Sequence, residues 1–262
     1  MRTITHTLPD DLFPANIHIL PLADTHIGDA HCDMGLISDT IERVLISPNY
    51  YTILDGDLMN TAIVGSKSDV YHDQMPPSEQ LAKCADLFGG LAAAGKILAV
   101  LPGNHEERIS RTVGVDMTQL LCRELGIEHL YSPTSALVFL RFGENRKKGR
   151  RYKIVYSIYC NHGRGGGRRL GGKLNALEDM ARIVTADVYL MGHTHMPAVF
   201  RQAHYIATPQ CTISEREQVF VNTASFLDWD GSYGDRQGYV PNSKKMPVIP
   251  LDPQFHHITV TI

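Results

Sequence analysis

Short apolar runs without polar alternation recur along the chain, and each one stops abruptly at polar side chains. Lys96-Ile-Leu-Ala-Val-Leu101 breaks at Pro102-Gly103 and delivers Asn104, His105 and Glu106. Residues 17–23 run into Asp24-Thr25-His26, and residues 50–54 into Asp55-Gly56-Asp57. Residues 155–160 end in Asn161-His162, and residues 187–191 in Gly192-His193-Thr194-His195. An unbroken aliphatic run suits a strand covered on both faces, and in such sheets ligands gather beyond the carboxyl ends of the strands. Five ends carrying Asp, His or Asn, spaced for strand–helix–strand crossovers, converge on one rim.

Helical periodicity fills the intervals. Ile37, Ile41, Val44 and Leu45 fall on one face, and Leu81, Ala85, Phe88 and Leu91 form a second stripe that Ser78 can cap and Gly95 ends. Residues 116–125, closed by Gly126, and residues 174–184 read as further helices. The low apolar content of residues 61–77, with Gly65, Ser66, Ser68 and Pro76-Pro77, predicts a loop over or beside the rim. Residues 131–142 and 152–160 alternate enough for a hairpin with a charged tip, and strands follow around Val199, Val219 and residues 258–262. His31 and Asp33 invite a third-metal reading, against which stands a turn and helix cap.

Metal chemistry gives the polar ends a common purpose. One carboxylate can bridge two divalent ions while Asp, Asn and imidazole complete two open nitrogen and oxygen coordination spheres, with no thiolate required. In Asp24-x-His26 and His193-x-His195 the i, i+2 spacing places both side chains on one side if the segment is extended.

These blocks, D24-x-H26, G56-D57, G103-N104-H105-E106, N161-H162 and G192-H193-x-H195, resemble in order and spacing the five blocks of the calcineurin-like metallophosphoesterase superfamily. The match runs from Asp24 to His195, about two thirds of the chain. Val221-Asn-Thr-Ala-Ser225 resembles the turn that often follows as Asn-Pro-Gly-Ser, with Thr223 and Ala224 in place of Pro and Gly. The opening Ala23-Asp-Thr-His-Ile-Gly28 is similar to the DNA-repair nucleases of the superfamily, and phage and bacterial phosphodiesterases are comparable in flavour. The resemblance implies a four-layer α/β/β/α sandwich with two facing mixed sheets. It also implies two divalent ions, one held by Asp24, His26, Asp57 and His195 and the other by Asp57, Asn104, His162 and His193, with Asp57 bridging. His105 would protonate the leaving alkoxide, Glu106 would orient it or a neighbouring backbone group, and Asn60 would stand behind the ligands. Manganese is the expected metal; iron, zinc and magnesium suit the same donors.

Composition narrows the picture. The 262 residues, 43% hydrophobic, support a substantial core, and strand ends feeding one rim from across the chain favour a single domain over residues 1–262. Residues 1–16 lack the apolar run of a signal peptide, and no run of about 20 apolar residues predicts a membrane span. Five scattered cysteines without a C-x-x-C pair point to reduced thiols and a cytoplasmic location. The net charge of −3 conceals an asymmetry: from Arg141 to Lys173 eleven Lys or Arg face Glu144 alone, a net of +10, which leaves −13 elsewhere. Within this segment, Gly163-Arg-Gly-Gly-Gly-Arg-Arg-Leu-Gly-Gly-Lys173 follows a ligand candidate, so Arg164, Arg168 and Arg169 could cradle a polyanion. Arg108 and Arg111 could grip a phosphate or sit in surface ion pairs.

The expected activity is metal-dependent hydrolysis of a phosphate ester by an activated water, on nucleic acid or nucleotides as a phosphodiesterase. Phosphomonoesterase action on phosphoprotein or a small phosphate is the alternative, and a non-catalytic scaffold on the same fold is the third reading.

Overall fold

The strands form two sheets. In the computed structural model, which describes residues 1–8, 15–66, 70–144, 152–165 and 167–262, one sheet has the order β10 (Ile249–Leu251), β2 (Ile17–Ile19), β3 (Tyr50–Asp55), β4 (Ile97–Leu101). The other has the order β1 (Arg2–Thr7), β5 (Ser135–Glu144), β6 (Tyr152–Asn161), β7 (Val188–Met191), β9 (Ile213–Asn222), β8 (Ala198–Ala207). Both are mixed: β2, β3 and β4 run parallel beside an antiparallel β10, and the antiparallel pairs β5–β6 and β8–β9 flank parallel β7.

Strands β4 and β7 are buried along their whole length, as expected of parallel strands covered on both sides. Side chains alternate between two cores. Tyr156 and Ile158 of β6, Val188 and Leu190 of β7 and Val219 and Val221 of β9 share one cluster with Ile19, Leu54 and Val100 of the smaller sheet. Tyr159, Tyr189, Met191 and Phe220 point the other way, onto Leu177 of α5 (Leu170–Asp179). Helices α1 (Met34–Ile46), α2 (Pro77–Ala93) and α4 (Met117–Glu124) pack on the outside of the smaller sheet. The layers are therefore α/β/β/α with two facing mixed sheets, as the sequence implies.

Several elements differ in detail from the pattern. Leu45 is 37% exposed, because 100° per residue carries it off the stripe of Ile37, Ile41 and Val44. Ser78 does not cap α2: the helix begins at Pro77, whose missing N–H suits the first position, and Gln80, Cys84, Phe88 and Leu91 are its buried residues. Asp33 caps α1 through Leu36 N, which accounts for it as a turn residue. Residues 258–262 form isolated bridges with Val248 and Leu251 beside β10, not a strand of the larger sheet. Helix α5 starts inside the glycine-arginine stretch, at Leu170, and residues 145–151 of the charged tip and Gly166 lie outside the described residues. A helix the sequence did not announce, α3 (Asn104–Val113), begins at the third block and contains Arg108 and Arg111. Only Ile109 is a buried apolar residue in it, so it shows no stripe; Glu106 and Glu107 in its first turn and Arg111 in its last complement its dipole.

Candidate metal centre

Strand ends of both sheets deliver the polar side chains to one place. β3 contributes Asp57 two residues beyond its end, β4 contributes Asn104 and His105 through the start of α3, β6 contributes His162, and β7 contributes His193 and His195. The i, i+2 pairs are not extended, as their spacing alone would allow. Asp24, His26, Asp57, His193 and His195 all have positive φ, at 53°, 47°, 48°, 65° and 55°. Each such residue costs on the order of 1–3 kcal/mol and persists where its surroundings over-determine it. Here the fixing bonds are explicit: Asp24 N donates to Gly56 O at 3.0 Å, His26 N to Asp57 O at 3.0 Å, and His193 N to the Asp24 carboxylate at 3.0 and 3.1 Å.

Among the described residues two groups of candidate ligands result, each with its donor atoms within 4.8 Å of one another: Asp24, His26 and His195, and Asp57, His162 and His193. His26, Asp57 and His105 form a third that overlaps both. Asn104 joins the second group, its Oδ1 lying 2.6 Å from His193 Nδ1.

The donor set fits divalent cations on a specific ground: lone pairs face lone pairs. His162 Nδ1 donates to Asp55 O at 2.5 Å, so its buried Nε2 has no donor and points at Asp57 Oδ2 from 3.2 Å. His193 Nε2 donates to Gly165 O at 2.7 Å, which leaves Nδ1 confronting the Asn104 oxygen. Nε2 of His26 and of His195 stand 3.0 Å apart, so at most one of the two can carry a proton toward the other. Only a proton or a cation relieves such contacts. Burial works against charging His162, but Asp57 and then Asp24 and Asp55 pull its imidazole well above the ordinary range. Burial, then neighbouring His105 and His195, hold His26 well below it, and burial also lowers His193, favouring the neutral form a metal requires.

The remaining polar residues build the frame. Glu106, buried, accepts from Gly103 N at 2.8 Å, Asp57 N at 3.1 Å and Met59 N at 2.8 Å, so it orders the backbone of the second and third blocks. Burial and then Asp57 push its carboxyl up to about 7. His105 Nδ1 donates to Asn60 O at 2.9 Å while Nε2 lies 3.8 Å from Asp57 Oδ2. The Asn60 side chain donates to Asp73, and Asp73 in turn accepts from Gln80 Nε2 and Ala62 N. Asp73 and Gln80 thus tie the 61–77 loop to the site, and nothing in the sequence distinguishes them from ordinary loop and helix-surface residues.

Arg108 lines the cavity beside His105 and Asp57. Arg164, Arg168 and Arg169 are exposed and are not among its lining residues; from that stretch Gly165, Gly167 and Lys173 reach it. Arg111 pairs with Glu107 on the surface.

Two mixed sheets with Asp and His side chains gathered at their strand ends make the architecture of a metallophosphoesterase. The chain belongs to the calcineurin-like phosphoesterase family, whose model matches residues 24–197. No curated protein matches the chain. Similar solved structures include Vps29 from Chaetomium thermophilum, with 12% identity over 94% of this chain and 96% of that one and a TM-score of 0.42. A metallophosphoesterase from Sphaerobacter thermophilus has 13% identity over 93% and 86%, with a TM-score of 0.35. The nuclease MPE from Pseudomonas putida has 14% identity over 93% and 87%, with a TM-score of 0.35. All five cysteines are unpaired, and among the described residues no helix is long and apolar enough to cross a membrane.

Proposed function

We propose that the chain is a metal-dependent phosphodiesterase acting on nucleotides or nucleic acid. The observation that carries the reading is the position of Asp57: its carboxylate belongs to two candidate ligand groups at once, with the His105 imidazole beside it. Asp24, His26, Asp57 and His195 would hold one divalent ion, and Asp57, Asn104, His162 and His193 a second. When bound, such ions supply Lewis acidity toward phosphoryl oxygens and lower the pKa of water toward neutrality. Manganese is our first choice, with iron, zinc or magnesium compatible with the same nitrogen and oxygen donors.

The chain's own groups then divide the work. Asp24 and Asp57 bring the negative charge that retains the cations. The Asn60 carbonyl fixes the His105 tautomer, so that a protonated Nε2 can give its proton to the leaving oxygen. Glu106 keeps the backbone of Asp57 and Gly103 in register with the start of α3, whose first amides include His105 N, a donor to Asp57 Oδ1 at 2.8 Å. Arg108, which lines the cavity, would hold a non-bridging phosphate oxygen, and the exposed Arg164 and Arg169 would meet a longer polyanion.

A phosphomonoesterase would use the same ligands. The cavity, about 730 Å³ and continuing well beyond the ligands, favours an ester with a second substituent. Turnover of bis-p-nitrophenyl phosphate, p-nitrophenyl phosphate and linear DNA under each metal in turn decides the matter. Diester and DNA hydrolysis are expected; activity confined to the monoester overturns the diesterase reading, and no activity under any metal overturns the enzyme reading. Asp57→Asn is expected to lose metal and activity together, because an amide is a poor bridge between two cations. Full occupancy of both sites in that variant, measured by elemental analysis, would remove the bridging role.

A further inference from the structure

Beyond the ligand side chains the cavity is walled by Trp229, Tyr233 and Tyr239, which lie outside the residues matched by the family model. The wall is a loop secured at its base and braced near its tip. It leaves the site at Ser225, whose hydroxyl donates to Asp24 O at 3.1 Å, and Leu227 bridges to Cys32. It returns at Lys244, whose ammonium donates to Asp33 and, at 2.6 Å, to Asp228, closing the two ends on each other. Inside the loop Trp229 Nε1 donates to Tyr239 O at 2.9 Å, and Ser232 caps a single helical turn, α6 (Tyr233–Arg236). From the glycine-arginine stretch the Arg168 guanidinium lies 5.5 Å from the Tyr239 ring centroid and donates to Gln237 O at 3.0 Å. Arg168 therefore supports this wall.

Within so well fixed a loop, Tyr233 is left 52% exposed, its ring centroid 6.4 Å from that of Tyr239 at a tilt of 33°. A tyrosine offers a large rigid face with little entropy to lose on contact, and a half-exposed one in a cavity has that face to offer. Arg108, Lys173 and Arg236 line the same cavity. An aromatic face, cationic side chains and a phosphoester centre in one cavity form the chemistry that recognises a nucleotide, by stacking on the base and by attraction to the phosphate.

We propose that residues 227–244 are the nucleoside-binding wall of the site, with the Tyr233 ring stacking on the base of a nucleotidyl ester whose phosphate lies at the ligand clusters. The proposal rests on the phosphodiesterase reading and narrows its substrate class. Its test compares thymidine 5′-(p-nitrophenyl phosphate) with methyl p-nitrophenyl phosphate, which share a leaving group and differ in the nucleoside. In Tyr233→Ala the ratio of the two kcat/KM values is expected to fall about tenfold, within the range known for one stacked base. Tyr233→Phe, which keeps the ring, is expected to restore it. A second readout needs no turnover. Trp229 is the sole tryptophan, so thymidine 5′-monophosphate is expected to quench its fluorescence saturably, inorganic phosphate is not, and Tyr233→Ala is expected to weaken that binding. Equal losses on both esters, or no nucleotide response at Trp229 in the parent, overturn the wall while methyl-ester turnover still upholds the phosphodiesterase. If the parent hydrolyses neither ester yet binds the nucleotide through Tyr233, the phosphodiesterase reading fails and the wall stands.

Discussion

At the scale of single residues, the proposed reaction separates groups that would hold charge from one that would move it. The Nε2 of His105 is the imidazole nitrogen left over once Asn60 has taken Nδ1. His105→Ala is expected to keep its metals and to lose turnover by about 10²- to 10⁴-fold, the usual worth of a positioned general acid. The loss should shrink on p-nitrophenyl esters relative to alkyl esters; equal losses would leave His105 with positioning alone. Glu106 is a different case, since all it does is accept backbone N–H groups. Glu106→Gln turns one acceptor oxygen into a donor facing a donor, and is expected to cost about 1–3 kcal/mol of stability in chelator, read from urea unfolding. An unchanged midpoint would mean that those amides find other partners.

At the scale of elements, the strand-to-helix turn after β4 is packed without slack. A methyl group on Gly103 would collide with the backbone N and Oδ1 of Asp57, and one on Gly56 would meet the Gly103 backbone 2.7 Å away. Besides the side-chain atoms Asp57 Oδ1 and His162 Nδ1, each methyl would meet backbone, which cannot swing aside. Gly103→Ala is therefore expected to lose about 3 kcal/mol, the upper end for overpacking, and to bind metal more weakly. Calorimetric metal titration beside a denaturant melt distinguishes this from a mere change of fold stability, which would leave the affinity of the folded protein untouched.

At the scale of the whole molecule, the C-terminal segment is tied back onto the larger sheet. Tyr156 OH lies within 2.7–2.9 Å of the carbonyls of Asp252, Phe255 and His257, sharing its single proton among them, and accepts from His257 N at 2.9 Å; His256 stacks on the Tyr156 ring and pairs with Asp187 at 3.7 Å. Asp187 raises the His256 imidazole above its ordinary range. Asp187 itself is held down to about 2: burial opposes its ionisation, but the bonds from His256 and Ser157 prevail. A raised imidazole stabilises the fold below the unfolded pKa of about 6.5 and loses that contribution as pH climbs through the folded value. The lowered carboxyl contributes above about pH 4 and loses its share as pH falls toward 2. Between pH 6 and 8.5 the parent is expected to lose stability that His256→Gln does not. His256 is half exposed, so the difference is under about 1 kcal/mol, or about 2 °C in Tm. Parallel Tm curves for the two proteins would rule the tether out.

What the sequence determined by itself is local and chemical. Runs such as residues 97–101 are too apolar to be anything but covered strands, and their arrest at Asn104-His105-Glu106 or Gly192-His193-Thr194-His195 marks the rim, because polar groups must leave the core where the strand ends. Asp, Asn and His at those ends name the donor chemistry before any coordinate is known. The helix α3 was hidden because it is polar nearly all round and draws its stability from its dipole partners and its place under the rim. The left-handed backbone of Asp24, His26, Asp57, His193 and His195 was hidden because Asp and His tolerate that conformation better than most residues but do not by themselves select it; bonds from residues far away in sequence impose it. Gln80 and Asp73 look like surface residues until the loop folds over them. Likewise, three arginines beside a candidate ligand read as a polyanion cradle, yet the fold turns Arg168 onto Tyr239, 71 residues further on. Strand ends follow from hydrophobic pattern and donor types from residue identity; which side chains face the cavity follows only from the packing of two sheets, since that is what brings residues 26, 57, 105 and 233 to the lining of one cavity.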